Sequence, residues 1–256
     1  MNLKKLLFSI LLFPVLAQGA VYFDGDDRFE CGSFYGGEKY FTVTAHIKTF
    51  NDNEESQVIA SYGDSHGGPA LYEMRIELDP DTGSGFTVYC EFLDEGGTYI
   101  SVYADCSESG YCMELGVPYH LACVLTNSLQ LIPYINGVAY TPLEVSIPLD
   151  TSYRGSFYVG MDAAGSNPAK DTQITDVATY SDSLEPALIE SLGLSYMRNN
   201  IVPTNIRSGY WPFDDLGEDV NVGTKPMIDR TGNGNSCVAA SSSEGGTAKA
   251  DWVRYQ

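Results

Sequence analysis

Near its C-terminal end the chain reads DRTGNGNS, Asp229 to Ser236. Asp, Thr and Asn alternate and a glycine stands sixth, as at the start of an EF-hand calcium loop. Such a loop needs a bidentate acid at its twelfth position. Counting from Asp229, that position is Ala240, the third is Thr231, and no helical periodicity flanks the stretch. The spacing excludes an EF-hand and leaves at most a single calcium contact from Asp229. Two other groups offer hard oxygens. Asp24, Asp26 and Asp27 cluster beside a glycine in DGDD, and Asp162 and Asp171 lie in GMDAAGSNPAKD, just before Asp176. Calcium takes about 6–8 oxygen ligands, so both are candidate metal sites; solvated acids in a turn are the competing reading. For a larger ligand, the glycine-rich loop SYGDSHGGPA offers Tyr62, Asp64 and His66 in the kind of connection that carries function. WPFDD offers Trp211 beside two acids, although a tryptophan there equally anchors a core.

Other chemistries find less support. His46, His66 and His120 are far apart in sequence, and two of them fall in strand-like runs, where a packed histidine is the ordinary role. GDSHG at 63–67 has GxSxG spacing, but no helical pattern follows it, so no strand-turn-helix elbow supports a nucleophile, although triads assemble across a fold. The eighteen tyrosines suit sugar stacking, yet most sit in runs where they simply favour strands.

The elements that must position these residues read as β. YFTVTAHIKTF is rich in β-branched and aromatic residues. LYEMRIELD alternates, with Glu73, Arg75, Glu77 and Asp79 on one face and Tyr72, Met74, Ile76 and Leu78 on the other. That reads as a half-buried strand whose acids face solvent. DPDTGSG reads as a turn, and FTVYCEFL returns with Phe86, Val88, Cys90 and Phe92 on one face. Asn136–Gly137 marks a hairpin. Only SLEPALIESLGL looks helical, with Ser183 as cap, Pro186 in the first turn and Gly193 at the end. Many closely spaced strands and one short helix predict a two-sheet antiparallel β-sandwich.

Residues 1–19 read as a secretory signal: Lys4 and Lys5, an apolar run from Leu6 to Leu16, and small residues for cleavage after Gly19 or Ala20. The run is shorter than the roughly 18–20 residues a membrane span needs. The formal charge is −20, or −22 without the two lysines of the signal. Such a surface repels nucleic acid and anionic membranes. Six cysteines in an exported chain predict disulfides. CSESGYC reads as a loop closed by Cys106–Cys112, and Cys31–Cys237 with Cys90–Cys123 is one arrangement among the fifteen that six cysteines allow.

Five stretches, in order, resemble laminin-G-like jelly-roll domains of the concanavalin A-like lectin/glucanase superfamily. They are VYFDGDDRFEC, YFTVTAHIKT, VPYHLACVLTNSLQLIPYINGVAY, SFYVGMD and TQITDVATYSDSLEPALIESL, with Asp176, Tyr180 and Leu184 on matching positions. His46 departs from the pattern, standing where a tryptophan is common. The resemblance covers Val21 to Leu192 and implies a module that binds glycans or proteins outside cells, often with calcium at its rim. The superfamily also holds laminarinase-like glycosidases, whose E-[IL]-D-x-E motif ELDPD approaches: Glu77, Asp79 and Asp81. Pro80 suits a turn rather than a ladder. Residues four apart on a strand also lie about 13 Å apart, against about 5–5.5 Å for retaining hydrolysis.

The tail GYWPFDDLGEDVNVGTKPMIDRTGNGNS resembles a segment that precedes the opening FDG strand in such proteins, but here it follows the closing one. The order implies a tail that docks on the same sandwich or a truncated repeat. About fifty residues after Ile206 are too few for a second sandwich, and ADWVRYQ alternates like a last strand. The expectation is a signal at 1–19, a sandwich at 20–206, and a segment 207–256 docked on it, with Cys31–Cys237 as a staple. The expected function is a secreted, non-catalytic recognition module for a polysaccharide or a glycoprotein surface, with Ca²⁺ as a structural cofactor. A glycoside hydrolase and a structural envelope or matrix component are the alternatives.

Overall fold

A computed structural model describes residues 19–33, 39–52, 55–63, 70–78, 85–104, 113–146, 155–194, 207–213, 226–241 and 251–254. In chain order the strands are β1 (Gly19–Asp24), β2 (Asp27–Cys31), β3 (Phe41–Thr49), β4 (Gln57–Gly63), β5 (Ala70–Leu78), β6 (Phe86–Leu93), β7 (Tyr99–Ala104), β8 (Tyr119–Leu125), β9 (Gln130–Ile135), β10 (Val138–Ala139), β11 (Leu143–Glu144), β12 (Ser156–Val159) and β13 (Lys170–Tyr180). Helix α1 (Pro186–Leu194) follows, then β14 (Arg207–Trp211), β15 (Cys237–Ser241) and β16 (Asp251–Arg254).

Among the described residues these strands form two antiparallel sheets. One runs β10-β9-β8-β3-β13-β1-β16, with β11 on β9 and β14 on β13; the other runs β15-β2-β12-β4-β5-β6-β7. The expected sandwich with one short helix is therefore present, and the alternation explains it. Tyr72, Met74, Ile76 and Leu78 of β5 and Phe86, Val88, Cys90 and Phe92 of β6 face Val43, Ala45 and Ile47 of β3 across the core. Strand β8 reads as a continuous apolar run because both its faces are covered. Leu121, Cys123 and Leu125 point into the core, while Ala122 and Val124 meet Ile189 and Leu192 of α1 on the far side of the sheet. Glu185, rather than Ser183, stands at the N-cap, its carbonyl accepting from Leu188 and Ile189. Pro186 then takes the first helical position, where its missing N–H is not needed. Asn136 and Gly137 both have positive φ, 50° and 79°, the backbone of a type I′ hairpin. A side chain on Gly137 would meet the backbone of Glu190 at 2.6 Å, so the hairpin also receives the helix.

Two disulfides lie where the sequence pairing placed them. Cys90–Cys123 ties β6 of one sheet to β8 of the other, and Cys31–Cys237 joins directly opposed residues of β2 and β15. Cys106 and Cys112 lie outside the described residues.

The C-terminal segment supplies three strands: β14 pairs β13, β15 pairs β2 and β16 pairs β1. DRTGNGNS fastens it. Asp229 is buried, and its carboxylate accepts from the backbone N–H of Tyr210, Thr231 and Asn235 and from the Thr231 hydroxyl. Asn233 and Asn235 donate to the Ser208 carbonyl, and the Trp211 indole donates to the Asn235 carbonyl. The loop is a clasp, with both Asp229 oxygens already used.

On the outer face of the nine-stranded sheet, the register sets His46 opposite His120, ring centroids 4.8 Å apart. His46 Nδ1 lies 3.8 Å from Asp176, which accepts from the Tyr210 hydroxyl at 2.8 Å. Burial pulls the His46 pKa down from 6.5 to about 4 and His120 well below its ordinary value. The folded pKa of His46 is the lower one, so its contribution to stability is complete above pH 6.5 and is lost as pH falls through about 4. Urea titrations are expected to show a loss of about 3 kcal/mol across that window from His46 alone, and His46→Gln should flatten the slope.

Candidate functional site

On the seven-stranded sheet, the residues between core-facing positions form the outer face. The antiparallel register of β5 and β6 sets Glu73 directly opposite Glu91, and Arg75 opposite Tyr89. The same cross-strand row runs on to Ser61 of β4 on one side and Ser101 of β7 on the other. Tyr89 and Tyr103 are likewise opposed, and Tyr99 shares their face by its period of two.

A wall rises over this face from the loop between β12 and β13. It begins at Gly160, whose φ of +87° and contact with the Phe23 ring leave no room for a side chain. Ala169 N–H closes it onto the Gly160 carbonyl, and Arg28, stacked over the Tyr158 ring, donates to the Asp162 and Ala163 carbonyls. Between this wall and β7 lies a cleft of about 600 Å³, lined by Glu73, Arg75, Glu91, Tyr99, Asp162 and Asn167 among others. That volume is in the range of sites for small ligands, about 300–1,000 Å³.

Arg75 organises the floor. Its Nε and one terminal nitrogen each donate at 3.2 Å to the two oxygens of Glu91, and its other terminal nitrogen donates to Glu77 at 2.7 Å and Ser56 at 3.0 Å. The guanidinium also lies 3.8 Å from the Tyr89 ring centroid. Glu73 receives less: Arg75 Nε stands 3.9 Å away, and no hydrogen bond reaches its carboxyl among the described residues. Burial first, then the Glu91 and Asp162 carboxylates, push its pKa from 4.5 up to about 8, against the pull of Arg75. Glu73 is thus a neutral acid near pH 7. Tyr99 is 42 % exposed overall, yet burial of its hydroxyl in the cleft and the charges of Glu73 and Glu91 hold its proton on.

The residues expected from sequence fall elsewhere. Tyr62 and Trp211 are buried core rings, stacked on Tyr72 and Phe157 respectively, and present no face to a ligand; this corrects the expectation that they contact one. Asp64, His66, Asp79 and Asp81 lie outside the described residues. Glu77 ends the charged row of β5 as a partner of Arg75. Asp24, Asp26 and Asp27 gather within 4.8 Å of one another, the first two exposed and the third buried. Asp162 and Asp171 do not join them. Asp162 is half-buried, which raises its pKa, and its carboxylate takes the Ser166 N–H at 2.6 Å. Asp171 accepts from the Tyr22 hydroxyl and pushes that phenol up to about 12. Sequence reading placed Glu73 and Arg75 on solvent; the wall from residues 160–169 makes their face a cleft. The symmetric placing of EMR and YCE on either side of DPDTGSG is the sequence signal for the Glu73–Glu91 pair.

A family model described as the concanavalin A-like lectin/glucanases superfamily matches residues 23–190. No curated protein matches the sequence. Three solved structures share the fold. A heptameric SAP-like pentraxin of Limulus polyphemus aligns with a TM-score of 0.54 and 14% identity, over 73% of this chain and 88% of its own. A candidate carbohydrate-binding protein of Bacteroides ovatus aligns with 0.55 and 15%, over 88% and 60%. Tailspike protein 2 of an Escherichia coli O157:H7 bacteriophage aligns with 0.57 and 14%, over 78% and 30%. The chain therefore spans most of the pentraxin but less than two thirds of the other two, and at these identities the likeness is one of fold.

Proposed function

The chain belongs to the concanavalin A-like lectin/glucanase superfamily, and from that membership we propose that it is a secreted, non-catalytic recognition module for a carbohydrate, on a polysaccharide or a glycoprotein surface. One observation carries the reading: a walled cleft of ligand size on the outer face of the seven-stranded sheet, with a charged floor and the exposed Tyr99 ring at its edge. Polar groups that fix orientation beside an aromatic face are what a sugar ring needs. Secretion accords with the two disulfides, which persist in oxidising compartments. No helix among the described residues is long and apolar enough to cross a membrane.

A glycoside hydrolase is the second reading, on a different pair from ELDPD. Glu73 and Glu91 are directly opposed on adjacent strands, which sets Cβ atoms about 4.5–5.5 Å apart. One is a neutral acid and the other is held beside a guanidinium. Environments that push two carboxyl groups apart define an acid and a nucleophile. Against it, Arg75 engages both oxygens of Glu91, so neither is free to attack an anomeric carbon. A glycan array with a reducing-sugar assay separates the readings. Binding without product is expected; product that disappears in Glu73→Gln would make the protein a hydrolase, and neither binding nor product would leave a structural component.

Calcium belongs to the same proposal, at Asp24, Asp26 and Asp27. Three carboxylates within 4.8 Å supply part of the roughly 6–8 oxygens the ion takes, with water and carbonyls for the remainder. Removing the ion with EDTA is expected to lower the melting midpoint; an unchanged midpoint would dispose of a tight structural calcium.

A further inference from the structure

Among the described residues, no hydrogen bond reaches the Glu73 carboxyl, whereas Glu91 and Asp162 each accept one or more. Glu73 is 7 % exposed and lines the cleft, and Arg75 directs its hydrogen bonds to Glu91, Glu77 and Ser56 instead. The groups facing it are Glu91 from β6, Asp162 from the wall, Tyr99 from β7 and Arg75 from its own strand. Glu73, Glu77 and Glu91 share the Arg75 guanidinium, and Asp162 has Arg28 as its nearby cation, so carboxyl groups outnumber guanidinium groups four to two. A buried carboxyl placed opposite a second has two ways to be satisfied: it keeps a proton, or it receives a cation. The free protein does the first. An ammonium group, with three donors and no acceptor, does the second.

We propose that the cleft takes a glycan bearing a free primary amine, an amino sugar whose ammonium group docks between Glu73 and Glu91 while its ring packs on Tyr99. The inference rests on the carbohydrate-binding reading and names its ligand class. The acidic surface of the whole chain, at −20, favours approach of such a ligand and disfavours sulfated or carboxylated glycans. The proton balance is explicit. Glu73 enters as a carboxylic acid and the ligand as an ammonium; the complex holds carboxylate and ammonium, and the proton leaves to solvent.

Isothermal titration at pH 5.5, where the amine is an ammonium and Glu73 still holds its proton, with a fully deacetylated glucosamine oligomer and with its N-acetylated counterpart tests this, run in acetate and in MES, neither of which carries a primary amine. The amine form is expected to bind at least about ten-fold more tightly, with a buffer-dependent heat corresponding to release of about one proton. In Glu73→Gln the proton release should vanish and the preference for the amine form over the acetylated one should collapse. Equal or weaker binding of the amine form, a preference unchanged in Glu73→Gln, or spermidine binding as tightly as the oligomer would each overturn the inference. If neutral glycans bind on an array and glucosamine oligomers do not, the amine specificity fails alone. If no glycan binds, the carbohydrate reading fails with it.

Discussion

A chain cut after Ile206 is expected to lose its cooperative fold and accumulate as insoluble protein. The cut removes β14, β15 and β16, and with them the partners of β13, β2 and β1. Trp211 and Phe213 are fully buried, and burying each such side chain is worth about 1.5–3 kcal/mol. The Cys31–Cys237 bridge spans a sequence separation of 206; in the chain-entropy account a loop of that length stabilises by about 5 kcal/mol. Together these approach the whole stability of an ordinary domain, about 5–15 kcal/mol. Exposed edges on both sheets would then invite aggregation. Trp211→Ala provides the milder version. It removes the ring that stacks on Phe157 at 5.1 Å and donates to Asn235, and should lower stability by about 3–5 kcal/mol in urea melts. A soluble truncated chain with an unchanged midpoint would mean that the segment is an appendage.

Glu73→Gln is expected to stabilise the protein in alkali and leave it unchanged in acid. Its folded pKa, about 8, lies above the ordinary 4.5. The contribution of such a group is complete below pH 4.5 and is lost as pH rises through about 8. The loss is on the order of 5 kcal/mol for a shift of this size. Gln keeps the shape and never ionises, so the variant should match the wild type at pH 4 and exceed it at pH 9. This slope opposes the one from His46, so each variant exposes the other group's contribution. Equal stability of wild type and variant at pH 9 would mean that Glu73 is solvated and that the cleft does not hold it.

The sandwich was legible because its strands alternate cleanly and its turns carry Asn-Gly or Asp-Gly chemistry. The failure of DRTGNGNS as an EF-hand followed from Ala240 at position twelve. Its actual role was not legible, because the groups that use Asp229 include Tyr210, nineteen residues earlier. The cleft was missed for a related reason. Alternation tells which face of β5 a residue occupies, but not whether another segment covers that face. The covering loop at 160–169 is far along the chain and is positioned by Gly160, Arg28 and Tyr158. Aromatic residues misled in the same way. Tyr62 and Trp211 sit among glycines and acids in sequence yet lie in the core, whereas Tyr99 and Tyr103, in an unremarkable strand, are exposed at its edge. His46 and His120 become neighbours only through the β3–β8 register.

This cleft on the seven-stranded sheet is the proposed sugar-recognition surface. Its most direct test is to titrate the strongest glycan from an array into the wild type and into Tyr99→Ala, after confirming equal melting midpoints. A weakening of about ten-fold or more is expected, on the scale of losing an aromatic anchor at a binding site. Unchanged affinity in Tyr99→Ala would place recognition elsewhere on the protein and contradict the account.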